Sequence, residues 1–197
     1  MINKAKADIF EQVYEDHIEN EENNFPVFLD GTDTHLAPYL PTSKRSVIEA
    51  LSLVNVTSND TVLDLGSGDG RFVIGAALLF DVAKAVGIEI DSDLAAQSNQ
   101  IAFQCNIQHK VQFICGDLLE EAKTFEDSLN EPSYSSPFTI VIAFLLPEAE
   151  DNAQLRELIL SYYHRGARIV AIVFDLANIP GMKLIAHHES TWVYHKG

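Results

Sequence analysis

The stretch Thr61 to Arg71, reading TVLDLGSGDGR, constrains the chain more than any other. An apolar run, Val62, Leu63 and Leu65, is interrupted by a single acid, Asp64, and then breaks into glycines at alternate positions, Gly66, Gly68 and Gly70. Apolar residues resume at helical spacing from Phe72 to Phe80. A buried strand, a tight glycine turn and a helix start form the ligand-binding unit of open α/β folds. Glycine tolerates positive φ and leaves no Cβ between backbone and ligand.

The spacing says which ligand. Dinucleotide sites read G-x-G-x-x-G, whereas here the third glycine comes one position early and Arg71 stands where it would be. The D-x-G-x-G-x-G form, with an acid on the strand before the turn, resembles motif I of the class I S-adenosylmethionine methyltransferases. An acid at that place suits a ligand bearing an ammonium and a sulfonium, directly or through water.

Further candidates follow the strands. Ala83 to Ile90 is a short apolar strand ending at Glu89, about twenty residues beyond the glycines, where such folds hold ribose hydroxyls. Asp91 follows as a helix cap. Val111 to Cys115 is a third strand, delivering Asp117 to the position beside an adenine. Phe138 to Phe144 is continuously apolar, as expected of a parallel strand buried on both faces. Ala167 to Phe174 ends at Asp175, and Lys183 to His188 with Thr191 to His195 alternate as a terminal antiparallel pair. Amphipathic helices are expected over Ala5 to Ile18, after a Thr42 or Ser43 cap, after Asp91, over Leu118 to Leu129 and over Gln154 to Tyr163. Hydroxyls and amides at the Thr42 helix start would suit a ligand carboxylate. Strands alternating with helices predict an α/β fold, doubly wound about a mostly parallel sheet.

Length and charge narrow the class. The 197 residues suit one domain with a good core, and 47% hydrophobic content with 11 Phe excludes a disordered chain. No apolar run is long enough to span a bilayer, so no membrane role is expected. The acid-rich start is unlike a transit peptide, which favours a cytoplasmic or nuclear protein over a mitochondrial one. A net charge of −16 repels nucleic-acid phosphates and attracts basic partners, so the expected partner is a lysine-containing, basic protein and not a nucleic acid. Cys105 and Cys115 are too few for a zinc site and read as buried free thiols; no histidine pattern suggests a metal.

Taken together, PYLPTSKRSV, VLDLGSGDGRFVI, AVGIEID, FICGD, FLLPE, ARIVAIVFD and TWVYH are similar to a seven-stranded class I methyltransferase over residues 38–195. More narrowly they resemble the ATP synthase c-subunit lysine N-methyltransferases and their bacterial relatives. The resemblance implies a Rossmann-like sheet with an antiparallel terminal strand over residues 38–197, preceded by an acidic helix and extended lead-in over 1–37. It implies S-adenosylmethionine as cofactor, with Asp64, Gly66, Ser67 and Gly68 around the methionine moiety and Thr42 near its carboxylate. Glu89 would take the ribose, Asp117 the adenine, and Ala143, Phe144 and Leu145 the floor beneath the sulfonium. Glu148, Tyr39 and Asp175 are candidates to orient the acceptor. No Asp-Pro-Pro-Tyr type motif of amide and base methyltransferases follows strand four, and no paired-glutamate loop of arginine methyltransferases occurs. The expected activity is methyl transfer to a protein lysine; a small-molecule or other protein acceptor, and a non-catalytic cofactor-binding module, stay open.

The chain departs from the family pattern twice. It begins with an acidic helix where mitochondrial members carry a hydrophobic anchor, and the path from Asp175 to Lys183 is short for the usual helix after strand five.

Overall fold

The computed structural model describes residues 2–14, 39–127, 137–144 and 152–197. The elements run α1 (Lys4–Val13), α2 (Lys44–Leu53), β1 (Thr61–Leu65), α3 (Arg71–Leu79), β2 (Lys84–Glu89), α4 (Ser92–Gln104), β3 (Val111–Cys115), α5 (Leu118–Asp127), β4 (Ile140–Ala143), α6 (Ala153–His164), β5 (Arg168–Ile172), β6 (Leu184–His188) and β7 (Thr191–Tyr194). The strands form one sheet in the order β3-β2-β1-β4-β5-β7-β6. Strands β1 to β5 pair in parallel, and β7 inserts antiparallel between β5 and β6.

That order reverses direction between β1 and β4, opening a crevice at their carboxyl ends, where open α/β sheets bind ligands. The glycine turn leaves β1 there and Phe144 leaves β4 there. Helix α3 is buried along its whole length, which is why its sequence is apolar all round. It is wedged between the sheet and helices α1 and α2, so Phe10 and Tyr14 of α1 belong to the same core as Val73 and Ile74. A second apolar layer, built on α6 with Tyr162 and Leu155, covers the other face.

The opposite edge of the sheet is pinned by Asp60, just before β1. Its carboxylate accepts from Thr57 N at 2.7 Å and Thr139 Oγ1 at 2.6 Å, and pairs with the Arg168 guanidinium. Burial raises its pKa, but these hydrogen bonds and Arg168 outweigh that and lower it. The cluster locks β1, β4 and β5 in register and so fixes where their carboxyl ends lie.

Most expected elements are found, with shifted ends. Strand four is limited to Ile140–Ala143, and α1 stops at Val13; the rest of its expected span, and the end of that expected after Asp117, lie outside the described residues. Residues 173–183 hold turns and no helix, as the short connection requires. One expectation is corrected: Cys105 is buried, but Cys115 is exposed. Strand β3 lies at the sheet edge and Cys115 is its last residue, where the strand ends.

Candidate functional site

The site is centred on a carboxylate. Asp64 sits on β1 between Gly87 of β2 and Ile142 of β4, and is only 2% exposed. Among the described residues it accepts no hydrogen bond and makes no ion pair. Burial raises its pKa well above the carboxylate range, and the negative charges of Glu89 and Asp69 raise it further. A buried, unpaired carboxylate opening on a cleft is a site prepared for a cation.

The turn around it is shaped for close approach. Gly68 has φ +54°, and a Cβ there would lie 3.0 Å from the Tyr39 ring. A Cβ on Gly87 would lie 2.5 Å from Ser67 Oγ, so the β2 glycine makes room for that serine. Among the described residues, Ser67 Oγ is itself buried with no hydrogen-bond partner. Glu89 braces the turn: one carboxylate oxygen accepts from Gly68 N at 2.6 Å and the other from Asp91 N at 2.9 Å. Each oxygen keeps a second lone pair for a ligand hydroxyl. Burial is the main cause of the raised Glu89 pKa.

Behind the turn lies a buried network that sequence reasoning missed. Arg71 Nε donates to Asp69 Oδ1 at 2.9 Å and Nη2 to Oδ2 at 2.5 Å, while Nη1 donates to the Thr42 carbonyl. The guanidinium lies 5.2 Å from the centre of the Tyr14 ring, and Tyr14 Oη donates to the Asp69 carbonyl at 3.1 Å. Tyr39 Oη donates to Asp69 Oδ2 at 3.3 Å; burial, then Asp69, pushes this phenol up to about 12. Arg71 thereby ties the segment before α2 to the glycine turn. A signal was present: a cation in the first turn of a helix opposes the helix dipole unless a nearby acid pairs with it.

The cleft encloses about 570 Å³ including space continuous with solvent. Of the expected cofactor residues, Thr42, Asp64, Gly66, Ser67, Gly68, Glu89 and Phe144 line it. Tyr39 lines it too, standing at the glycine turn. Leu40, Pro41, Phe72 and Leu94 add apolar walls that were not anticipated. Ala143 is 2% exposed within the sheet and lies beneath the cleft surface. Asp117 is exposed and uses its carboxylate at the start of α5, accepting from Leu119 N at 2.8 Å and Glu120 N at 3.1 Å. Asp175 does not line the cleft; its carboxylate accepts from Ala177 N at 3.1 Å. Leu145 and Glu148 lie outside the described residues.

These residues fit S-adenosylmethionine. Asp64 would offer the counter-charge for its ammonium, the glycines would admit backbone contact with the methionine moiety, and Glu89 would offer acceptors for ribose hydroxyls.

Comparison with known proteins agrees. The ANTKMT methyltransferase domain family matches residues 64–183. A protein-lysine N-methyltransferase of Saccharolobus islandicus is 30% identical over 139 residues, covering 71% of this chain and 78% of that protein. The ATP synthase c-subunit lysine N-methyltransferase of Xenopus laevis is 27% identical over 161 residues, covering 81% of this chain and 64% of its own length. Among solved structures, an RNA methyltransferase from Salinibacter ruber in complex with S-adenosyl-L-homocysteine shares 31% identity with a TM-score of 0.58, covering 79% of this chain and 91% of that one. With a matched family beginning at Asp64 and a cleft built around that residue, the chain belongs to the ANTKMT methyltransferase domain family and is an S-adenosylmethionine-dependent methyltransferase.

Proposed function

We propose that the enzyme methylates the side-chain nitrogen of a lysine in a basic protein. The observation that carries this reading is that two relatives, matched over 71% and 81% of this chain, are both named for lysine N-methylation. The net charge of −16 supports a basic protein partner over a nucleic acid.

When bound, the cofactor supplies an electrophilic methyl carbon on a positively charged sulfur. The chain's own residues position and desolvate. Asp64 would hold the cofactor ammonium, Glu89 and the glycine turn would hold its body, and Phe144 with Leu40 and Pro41 would exclude water. The acceptor amine must first lose a proton, since a free lysine titrates near ~10.4. An apolar approach lowers that value by disfavouring the ammonium. The chain's part is to deliver that nitrogen neutral and aligned; with the cofactor bound, the new N–C bond would form as the C–S electron pair is left on sulfur. Glu148 remains the proposed orienting group for that nitrogen. Its ionised carboxylate beside the amine would oppose deprotonation, so its role is orientation and not general base. Tyr39, held protonated, serves as a wall of the cleft.

A second reading has one observation behind it: the Salinibacter protein at 31% identity is titled an RNA methyltransferase. Incubation with methyl-labelled S-adenosylmethionine and cell extract, followed by separate protease and nuclease digestion, distinguishes the two. Label on lysine, located by mass spectrometry, is expected. Label confined to RNA or to the small-molecule fraction overturns the lysine reading.

A further inference from the structure

A second cavity adjoins the cofactor cleft. It encloses about 720 Å³ including space continuous with solvent, and shares Leu40, Pro41, Thr42 and Phe144 with the cleft, so the two spaces are neighbours across that wall. Its far side is formed by Ile172 and Val173 at the end of β5. Val173 has φ +69°, a left-handed conformation that β-branched residues rarely adopt. Its N–H donates to the Ser190 carbonyl at 2.8 Å, pinning the end of β5 to the β6–β7 turn. Strain of this kind persists only where surrounding structure enforces it, and here it bends the chain out of the sheet at the cavity edge.

Moving outward, the lining changes from apolar to hydroxyl to acidic. Ser46, Ser190 and Thr191 line this cavity and also a smaller outer recess, whose other walls include Glu49, His188 and Glu189. Polar side-chain atoms of those three lie within 4.8 Å of one another. Arg45 Nε meets Glu49 at 2.7 Å and offsets one of the two carboxylates. Among the described residues, the two carboxylates thus outnumber the one guanidinium that acts on them.

We propose that this path is the acceptor channel: a lysine side chain enters over the β6–β7 turn and runs between Phe144, Ile172 and Val173 to the cofactor cleft. A second basic residue of the same peptide rests against Glu49 and Glu189. The occupant follows from the wall shared with the cofactor site and from charge complementarity at the mouth, and the inference rests on the lysine reading above. An apolar passage suits the methylenes of lysine and strips water from its amine. The acids lie at the entrance, where they attract the cation without holding the reacting nitrogen charged.

The test blocks the channel after folding. Ser190→Cys is made in a Cys115→Ser background, because Cys115 is the exposed native thiol, and a bulky maleimide is attached. Each preparation is compared with itself before and after alkylation, using labelled S-adenosylmethionine and the protein fraction of a cell extract. S-adenosylhomocysteine binding is followed by calorimetry. Alkylation is expected to cut lysine labelling more than twentyfold, with cofactor affinity within twofold and the Cys115→Ser background unaffected. Undiminished labelling on the blocked protein overturns the channel while leaving the lysine reading intact. An unmodified enzyme that labels no lysine overturns the lysine reading itself, and with it the occupant named here. In a second arm, Glu49→Gln with Glu189→Gln should raise the extract concentration for half-maximal labelling about tenfold at an unchanged plateau; an unshifted curve removes the acids from the channel mouth.

Discussion

Asp69→Ala should destabilise the protein far more than an ordinary substitution in a loop. The Asp69 and Arg71 side chains are 7% and 5% exposed, and three N–H contacts of 2.5, 2.9 and 3.1 Å join them. Removing one member of such a buried pair takes that counter-charge from the other, at a cost of about 3–5 kcal/mol. Typical domains are stable by about 5–15 kcal/mol, so the loss is a large fraction of the total. For a chain of this size, each kcal/mol moves the melting temperature by about 2–4 °C, giving a fall of about 6–20 °C. Arg71→Met takes the paired guanidinium from Asp69 and should cost a similar amount. The double variant carries neither charge, so its loss should fall short of the summed single losses by about 2–3 kcal/mol. It should still lie below wild type, because Arg71 also donates to Thr42 and packs on Tyr14. Urea unfolding at pH 7, followed by circular dichroism, measures all three. Asp69→Ala within 1 kcal/mol of wild type, or strict additivity in the double variant, would refute a buried, mutually dependent pair.

Three further outcomes are expected. Asp64 and Glu89 both have raised pKa values, so their contribution to the free enzyme's stability is complete below the ordinary carboxylate range and lost as pH rises through the raised values. The cofactor ammonium favours ionised Asp64, so S-adenosylhomocysteine affinity should rise with pH through that same window and binding should release protons; calorimetry in buffers of different ionisation enthalpy reads both. Affinity that stays flat as pH rises above the ordinary carboxylate range would contradict this, and Asp64→Asn should melt higher than wild type at pH 7 while binding poorly. Gly68→Ala should cost about 1–2 kcal/mol for its left-handed backbone and lower cofactor affinity, since its Cβ would press on Tyr39; wild-type binding and melting would count against the close packing of that turn. With a thiol reagent, Cys115 should react at once and Cys105 only on unfolding, and two rapidly reacting thiols would contradict the burial of Cys105.

The parts of the site that were legible in the sequence are those whose chemistry is local. The glycine spacing, the acid on β1 and the acid closing β2 belong to consecutive strand ends, and the parallel sheet brings Asp64 and Glu89 to one edge. The Asp69–Arg71 network was not legible because its other members, Tyr14, Tyr39 and Thr42, lie 29 to 57 residues earlier in the chain and reach it only through packing of α1 and the segment before α2. Asp117 caps α5 through Oδ1, and that cap does not decide the adenine role expected of it. A carboxylate one residue before a helix caps that helix, and in this structure the cap is where its oxygen goes. Cys115 misled because alternation along a strand does not say that the strand is an edge.

The cofactor site at Asp64 is the centre of the account, and a paired titration tests it most directly. S-adenosylhomocysteine and NAD are each titrated into wild type and into Asp64→Ala, with thermal unfolding recorded for both proteins. S-adenosylhomocysteine should bind wild type with much higher affinity than NAD, and Asp64→Ala should lose that binding while still unfolding cooperatively. Tighter binding of NAD, or undiminished S-adenosylhomocysteine binding by a folded Asp64→Ala, would contradict it.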